Sequence, residues 1–349
     1  MNVRASIGLL LALGTIACRP GDTPAPQEPA MALLAQPAHF PAQPAVPYNP
    51  TTLAGVVLGR MLFYDASLSG NNRVSCATCH HPDKAFADGV ALGSGGVSGR
   101  ALHRNSPALI NLAWDTGGFF WDGGATNLES QIIGPLSHPD EMSRNVATLA
   151  GELSTKDAYV HHFRAAFPDD RESPVSTQNV LKALAQYMRT LVSAGAPYDQ
   201  VVLGRATQSA LEKQGMAVFD AKCASCHTRQ THLFTDSGFH NNGLDDTYPA
   251  DDERIAMGRF RITEKPDDLG KFKTPTLRNL AYTAPYMHDG RFQTLEQVLD
   301  HYANGIRPSA TLDPALRTLR LTGDERTALL VFLNSLNDQA FTQNPLFKP

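Results

Sequence analysis

The sequence has no strong bias of charge: 30 Lys and Arg stand against 34 Asp and Glu over 349 residues, a formal net charge of −4. A basic face for nucleic acid or a polybasic membrane patch is therefore not expected. Strand patterns, with apolar and polar residues alternating, are sparse. No stretch is apolar for long enough to span a bilayer of about 30 Å as a helix. Cysteine is scarce as well. There are five, and four of them fall in two short clusters, so no intrachain disulfide is expected. The remaining composition, 42% hydrophobic and 18% charged, is that of a globular chain with enough length for two cored domains.

The N-terminus reads as an export signal. Arg4 precedes an apolar run from Ile7 to Ile16 interrupted by Gly8, Gly14 and Thr15. Thr15-Ile16-Ala17 puts a small residue before Cys18, as in a lipoprotein signal, and lipidation of Cys18 would account for the odd cysteine. The reading is a signal peptide over 1–17 and a tether over 18–47. Nine prolines between Arg19 and Pro50 bias that tether to extended backbone. The folded part is expected from Tyr48, where Leu53, Val56, Val57 and Met61 recur at helical spacing.

The four clustered cysteines form Cys76-Ala-Thr-Cys79-His80 and Cys223-Ala-Ser-Cys226-His227. Two thiols at this spacing meet the two vinyl groups of a haem, and the adjoining histidine is placed by the same turn as proximal iron ligand. A zinc site or a redox dithiol would need further thiol or His clusters or a βαβ setting, and neither is found. Two covalent c-type haems follow, with His80 and His227 as proximal ligands.

The surroundings of the motifs also repeat. Phe86-Ala-Asp88-Gly89 matches Phe234-Thr-Asp236-Ser-Gly238, and Ser106-Pro107 through Trp114 parallels Thr274-Pro275 through Tyr282. Phe120-Trp121-Asp122-Gly123 through Leu128-Glu129 matches Met287-His288-Asp289-Gly290 through Leu295-Glu296 at an offset of 167. This is an internal duplication. Apolar residues recur at helical spacing over Val146–Phe167, Val180–Val192, Thr207–Phe219, Leu295–Tyr302 and Asp324–Leu336. Gly93–Gly99 and Asp236–Asp252 read as loops near the haem edges. The fold expected is mainly α, two cytochrome c-like haem domains over 48–200 and 201–345.

The sixth coordination position separates a carrier from an enzyme, because only an open iron admits peroxide. Tyr302 lies on the helix that begins near Thr294, and its phenol is a candidate ligand for the second haem. The offset carries Tyr302 back to Pro135, which has no donor atom. An open first haem and a closed second haem are thus expected. Met287 is a rival ligand, and His301 or water are others. Near the open haem, Glu141 and Gln131 fit the base and polar group that peroxide O–O heterolysis needs. Trp121, one of two tryptophans, falls toward the domain junction and is placed to pass electrons between haems.

Together these residues resemble the bacterial di-haem cytochrome c peroxidase and MauG family. The resemblance runs from about Asn49 to Leu336 and includes Leu58-Gly-Arg60, Leu62-Phe63-Tyr64-Asp65, Arg104-Asn105-Ser-Pro107 and Ala284-Pro285-Tyr286-Met287-His288-Asp289-Gly290. It implies a high-spin N-terminal haem and a C-terminal haem that relays electrons. It matches Trp121 to the inter-haem tryptophan, Gln131 and Glu141 to the distal polar pair, and Pro135 to the distal proline of MauG. It also implies a calcium ion between the haems, held by the Asn105 side chain and the carbonyls of Thr283 and Pro285. Tyr302 stands where MauG-like members carry tyrosine and classical peroxidases carry methionine. The distal histidine of classical members has no clear match, and His103 is read as structural. Ala221 stands where MauG has the surface tryptophan through which it oxidises its partner.

The leading reading is a periplasmic peroxidase that reduces hydrogen peroxide at the N-terminal haem. Its electrons would come from a small cytochrome c or cupredoxin through the C-terminal haem. MauG-like oxidation of a protein partner is the alternative, and a non-enzymatic di-haem carrier is third. Expected contact with a membrane is limited to a lipid anchor, and a homodimer is the oligomer considered. Changing Cys76 and Cys79 together to Ala should remove one haem per chain by mass, and changing Cys223 and Cys226 the other. A wild-type chain carrying a single haem would overturn this architecture.

Overall fold

The computed structural model describes residues 34–249 and 255–348. The signal peptide, Cys18 and the start of the proline-rich segment lie outside the described residues. In the first half, α1 (Leu53–Tyr64) is followed by α2 (Leu128–Ser137), α3 (Val146–Ser154), α4 (Asp157–Ala166) and α5 (Thr177–Arg189). A short α6 (Pro197–Val202) leads to α7 (Ala210–Lys222), α8 (Phe260–Thr263), α9 (Leu295–Asp300), α10 (Gly323–Asn334) and α11 (Gln339–Thr342). The scarcity of strand signals is matched by one antiparallel pair, β1 (Phe239–His240) with β2 (Phe272–Lys273). No helix among the described residues is long and apolar enough to cross a membrane.

Each half is organised around one close helix pair. α1 lies on α5, and a Cβ at Gly59 would fall 2.0 Å from the Ala183 carbonyl oxygen and 2.8 Å from Tyr187 Cβ. α7 lies on α10 in the same way: a Cβ at Gly215 would fall 2.0 Å from the Ala328 oxygen and 2.8 Å from Phe332 Cβ. Glycine at each crossing lets the backbones touch. The aromatic cores form around these crossings, with Phe63, Phe86 and Tyr187 buried in the first half and Phe219, Phe234 and Phe332 in the second.

The helical periods expected from sequence are present, with two refinements. Val146–Phe167 divides into α3 and α4. The Leu295–Tyr302 period runs as α9 to Asp300 and then widens into a π-helical turn over His301–Gly305. The helix α2 was not expected, because Gly134 and Pro135 lie within it. It is started by Asn127, whose side chain accepts from Ser130 N at 2.8 Å, and Pro135 is confined to its last turn.

The termini cross over, which corrects the expected boundaries. The segment from Leu34 to Pro47 is not a free tether: Phe40 is buried against Trp114 and Leu233, and Trp114 Nε1 donates to the Pro41 carbonyl at 2.7 Å. The C-terminal tail returns to the first half, where Phe341 and Phe347 join its core. Large apolar side chains are what the prolines in these segments deliver to the surface of the other half.

A buried ion pair closes the junction. Arg278 donates to both Asp199 oxygens, at 2.6 and 2.8 Å, with both side chains fully buried, and His39 Nε2 reaches Asp199 Oδ1 at 2.9 Å. Burial opposes the Asp199 charge, but the Arg278 and His39 contacts offset it and hold the carboxyl below its ordinary range. Arg278→Met leaves that carboxylate buried without its main partner. The expected cost is about 3–5 kcal/mol, read as a shift in the urea midpoint at unchanged slope; an unchanged midpoint would show the pair to be energetically idle.

Candidate active site

The two Cys-x-x-Cys-His segments adopt the same turn. His80 N donates to the Cys76 carbonyl at 3.0 Å and His227 N to the Cys223 carbonyl at 2.9 Å. Each imidazole is then held from behind: His80 Nδ1 donates to the Phe86 carbonyl at 2.8 Å, and His227 Nδ1 to the Phe234 carbonyl at 3.1 Å. A carbonyl can only accept, so Nδ1 carries the proton and Nε2 keeps the lone pair a metal needs. Burial pushes His80 down to about 4 and lowers His227 too, which keeps both imidazoles neutral.

The environment of the thiols differs from that of a redox dithiol. Burial pushes Cys76 and Cys223 up to about 12 and Cys79 up to about 11, opposite to the lowered values of redox Cys-x-x-Cys pairs. All four cysteines are unpaired.

A cavity of about 310 Å³ adjoins the second motif, walled by Cys223, Cys226, His227 and Tyr302 and extending to Trp121 and Gln131. Its largely apolar wall fits a haem. Tyr302 stands on the π turn with its phenol among these residues. Burial pushes it up to about 12, a hydrogen bond from the Asn242 side chain works the other way, and Cys223 and Cys226 are near enough to add to the rise. The rivals are also located. Met287 lines the same cavity, with left-handed backbone (φ 75°) and its Sδ 3.5 Å from Asn242 Nδ2. His301 Nε2 is engaged by the Asn242 carbonyl at 2.9 Å. Asn242 therefore touches all three candidates, and sequence reasoning missed it because nothing in its local pattern marks it.

At the first motif, Glu141 is placed by the end of α2. Met142 N donates to the Pro135 carbonyl at 3.1 Å, Arg144 N to Leu136 at 2.7 Å, and Val97 N to the Glu141 carbonyl at 2.6 Å. The glycine-rich loop and the helix end thus clamp the Glu141 backbone from two sides. Its carboxylate is near enough to Cys76 and Cys79 to raise both thiols further. Burial lifts Glu141 itself above the ordinary carboxylate range, His138 at 3.9 Å opposes this, and Asp140 adds to it. The side chain remains 35% exposed. Gln131 lies one turn before Pro135 on the same helix face, buried, with Oε1 lacking any hydrogen-bond partner among the described residues. Such an orphaned acceptor is what a site awaiting a ligand leaves behind. Gln131 opens onto the central cavity, whereas Pro135, Glu141 and the first motif do not line it.

Trp121 bridges the halves: its Nε1 donates to the Asn105 carbonyl at 2.8 Å, and its own carbonyl accepts from Lys273 N at 2.8 Å. Beside it, a buried ion pair between Lys273 and Asp115 also joins the halves, and burial pushes Lys273 down to about 7. The pair was missed, although Lys273 immediately precedes the Thr274-Pro275 repeat. Asn105, Thr283 and Pro285 all face the cavity. His103 is exposed, as a structural reading allows.

Comparison with known proteins places the chain in a family. Residues 53–207 match the di-haem cytochrome c peroxidase family. The chain is 39% identical over 312 residues to the methylamine utilization protein MauG of Methylorubrum extorquens, covering 87% of this chain and 85% of that protein. It is 31% identical over 365 residues to the cytochrome-c peroxidase IdrP2 of Denitromonas iodatirespirans, covering 97% and 92%. A solved MauG-like protein associated with microbial copper homeostasis superposes with a TM-score of 0.81 at 33% identity, covering 90% of this chain and 97% of that one. The chain belongs to the di-haem cytochrome c peroxidase family.

Membership in this family of peroxide-using oxidoreductases implies haem cofactors, for which the two Cys-x-x-Cys-His motifs are the attachment sites in this chain. A phenolate stabilises ferric iron and a thioether ferrous iron. Tyr302→Met should therefore raise the potential of the second haem in a redox titration while leaving the first in place. If the potential is unchanged, Tyr302 packs the cavity and the ligand is Met287 or another group.

Proposed function

We propose that the chain reduces hydrogen peroxide to water at the first haem, with electrons relayed through the second. The observation that carries this reading is the pairing of a clamped, partly buried Glu141 with a donorless Pro135 beside the first motif. Bound there, the haem iron supplies the site where peroxide binds and the electrons that cleave its O–O bond. Glu141 would take a proton from one peroxide oxygen and return it to the other, which leaves as water. Gln131 is the polar group one turn from Pro135, free to hydrogen-bond that departing oxygen. Two electrons and two protons per peroxide give two waters. Trp121, bonded to both halves, is the bridge for electrons arriving from the second haem, and Tyr302 closes that haem to peroxide.

The recurring features support one plan used twice. These are the glycine crossings, the carbonyl-held imidazoles, and the bridges Phe119 to Ala125 and Tyr286 to Phe292. On this plan the first domain spans about 48–200 and takes in the tail, and the second continues from 201. The leader supports export to the periplasm with a lipid anchor at Cys18, a small cytochrome c or cupredoxin as donor, and calcium between the haems. A second reading, oxidation of a protein partner as in MauG, is favoured by Tyr302 and opposed by Ala221.

Rapid mixing with peroxide tests the assignment. Glu141→Gln should retain both haems and slow the reaction by roughly 10² or more. Because the base must be ionised, the wild-type rate should rise with pH through an ionisation above the usual glutamate range, and the variant should lose that limb. An unchanged rate and profile would return Glu141 to an ordinary surface charge.

A further inference from the structure

The two proximal histidines differ in what holds their carbonyl partners. Phe234, behind His227, is packed by Tyr198, Phe219 and Phe332, with ring centroids 5.1, 5.7 and 6.2 Å away. All three belong to the second half or to the helix leading into it. Phe86, behind His80, is packed by Phe63 at 5.9 Å, but also by Phe341 at 5.9 Å and Phe347 at 5.6 Å from the C-terminal tail. The tail is secured at both ends. Asp338, buried, accepts from Gly195 N at 2.7 Å, and Arg60 Nε donates to the Leu346 carbonyl at 2.9 Å. Tyr64 and Arg60 make further bonds to the Phe347 and Lys348 carbonyls.

Phe86 needs such support. Both Ala85 (φ 51°) and Phe86 (φ 60°) occupy left-handed backbone, a conformation that is strained for non-glycine residues and persists only where packing enforces it. The carbonyl so oriented is the one that accepts from His80 Nδ1.

We propose that the C-terminal tail is a positioning element for the first haem, fixing Phe86 so that its carbonyl holds His80 in orientation and keeps it a strong ligand. This rests on the reading of His80 as proximal ligand. Phe347 is its central positioning residue. Loosening the tail weakens the Nδ1–H bond, makes the imidazole a poorer donor, and destabilises ferric iron at the first haem alone.

The test uses the haem-loaded full chain with Phe347→Leu, and Tyr64→Phe as a milder variant that keeps the ring and removes one latch. Reduced protein is examined by resonance Raman spectroscopy for the iron–imidazole stretch, and each haem is titrated for its potential. The expected result is a lower stretching frequency and a higher potential for the first haem, an unchanged second haem, and about a ten-fold slower peroxide reaction for Phe347→Leu. Phe332→Leu, under Phe234, should give the mirror-image result at the second haem. Unchanged stretch and potential in both tail variants, or equal shifts at both haems, would overturn the proposal by reducing the tail to general packing. Absence of haem from Cys76 and Cys79 in wild type would instead overturn the ligand reading on which it rests.

Discussion

Two hydrogen bonds, from His80 to the Phe86 carbonyl and from His227 to the Phe234 carbonyl, set the terms for the rest of the molecule. An imidazole can serve iron only if one nitrogen is protonated and directed away, and a backbone carbonyl does this without adding a charge to a buried site. The carbonyl must be turned inward, and both phenylalanines achieve this with left-handed backbone, φ 60° and φ 57°. Such residues need dense surroundings. The aromatic clusters about Phe86 and Phe234 are therefore part of the haem sites as well as the hydrophobic core of each half.

The junction follows a similar economy. Asn111 and Asn279 each begin a short helical turn in left-handed backbone, at φ 57° and 65°. Both reach Ser193 from opposite sides: Asn111 Nδ2 donates to its carbonyl at 3.1 Å, and Asn279 Nδ2 to its hydroxyl at 2.9 Å. The same stretch receives Asp338 and lies close to the Asp199–Arg278 pair. Buried polar groups of this kind add little net stability but tolerate few alternative arrangements, since any slip leaves them unpaired. The relation of the two haem-binding motifs, and of Trp121 between the halves, depends on that intolerance.

Much of this was legible in the sequence, for identifiable reasons. The Cys-x-x-Cys-His motifs are local, because attachment chemistry fixes their spacing. The paired helices α1, α5, α7 and α10 bury one face and so declare their period. Tyr302 and Glu141 were legible only through comparison of the halves and the family likeness, since neither has a local signature. The tail and the N-terminal strap were not legible. Their few aromatics are buried far along the chain, Phe40 at the junction against Trp114 and Leu233 and Phe341 and Phe347 in the first half, and contacts so distant in sequence leave no periodic trace. The Lys273–Asp115 pair escaped for the same reason, being two ordinary charges until the fold removes water from both.

The difference between the two halves can be followed to one turn of helix. α2 and α9 begin alike, with Asn127 capping Ser130 N at 2.8 Å and Thr294 capping Gln297 N at 3.3 Å. Seven residues on they diverge. In α2 the backbone stays α-helical through Gly134 and Pro135, the ring adds no donor, and the helix end is taken up by Met142 and Arg144, which draws Glu141 toward the first motif. After α9 the backbone widens into the π turn over His301–Gly305, which shifts the side chains that follow relative to an α-helix. Tyr302 falls on that turn and lines the cavity beside the second motif, while His301 is drawn off to Asn242. A proline resists such widening only locally, but it brings no donor and leaves the helix end available to the segment that carries Glu141. In the proposed mechanism the asymmetry between the two haem sites is thus a backbone decision taken at residues 135 and 302, with the side-chain chemistry following from it.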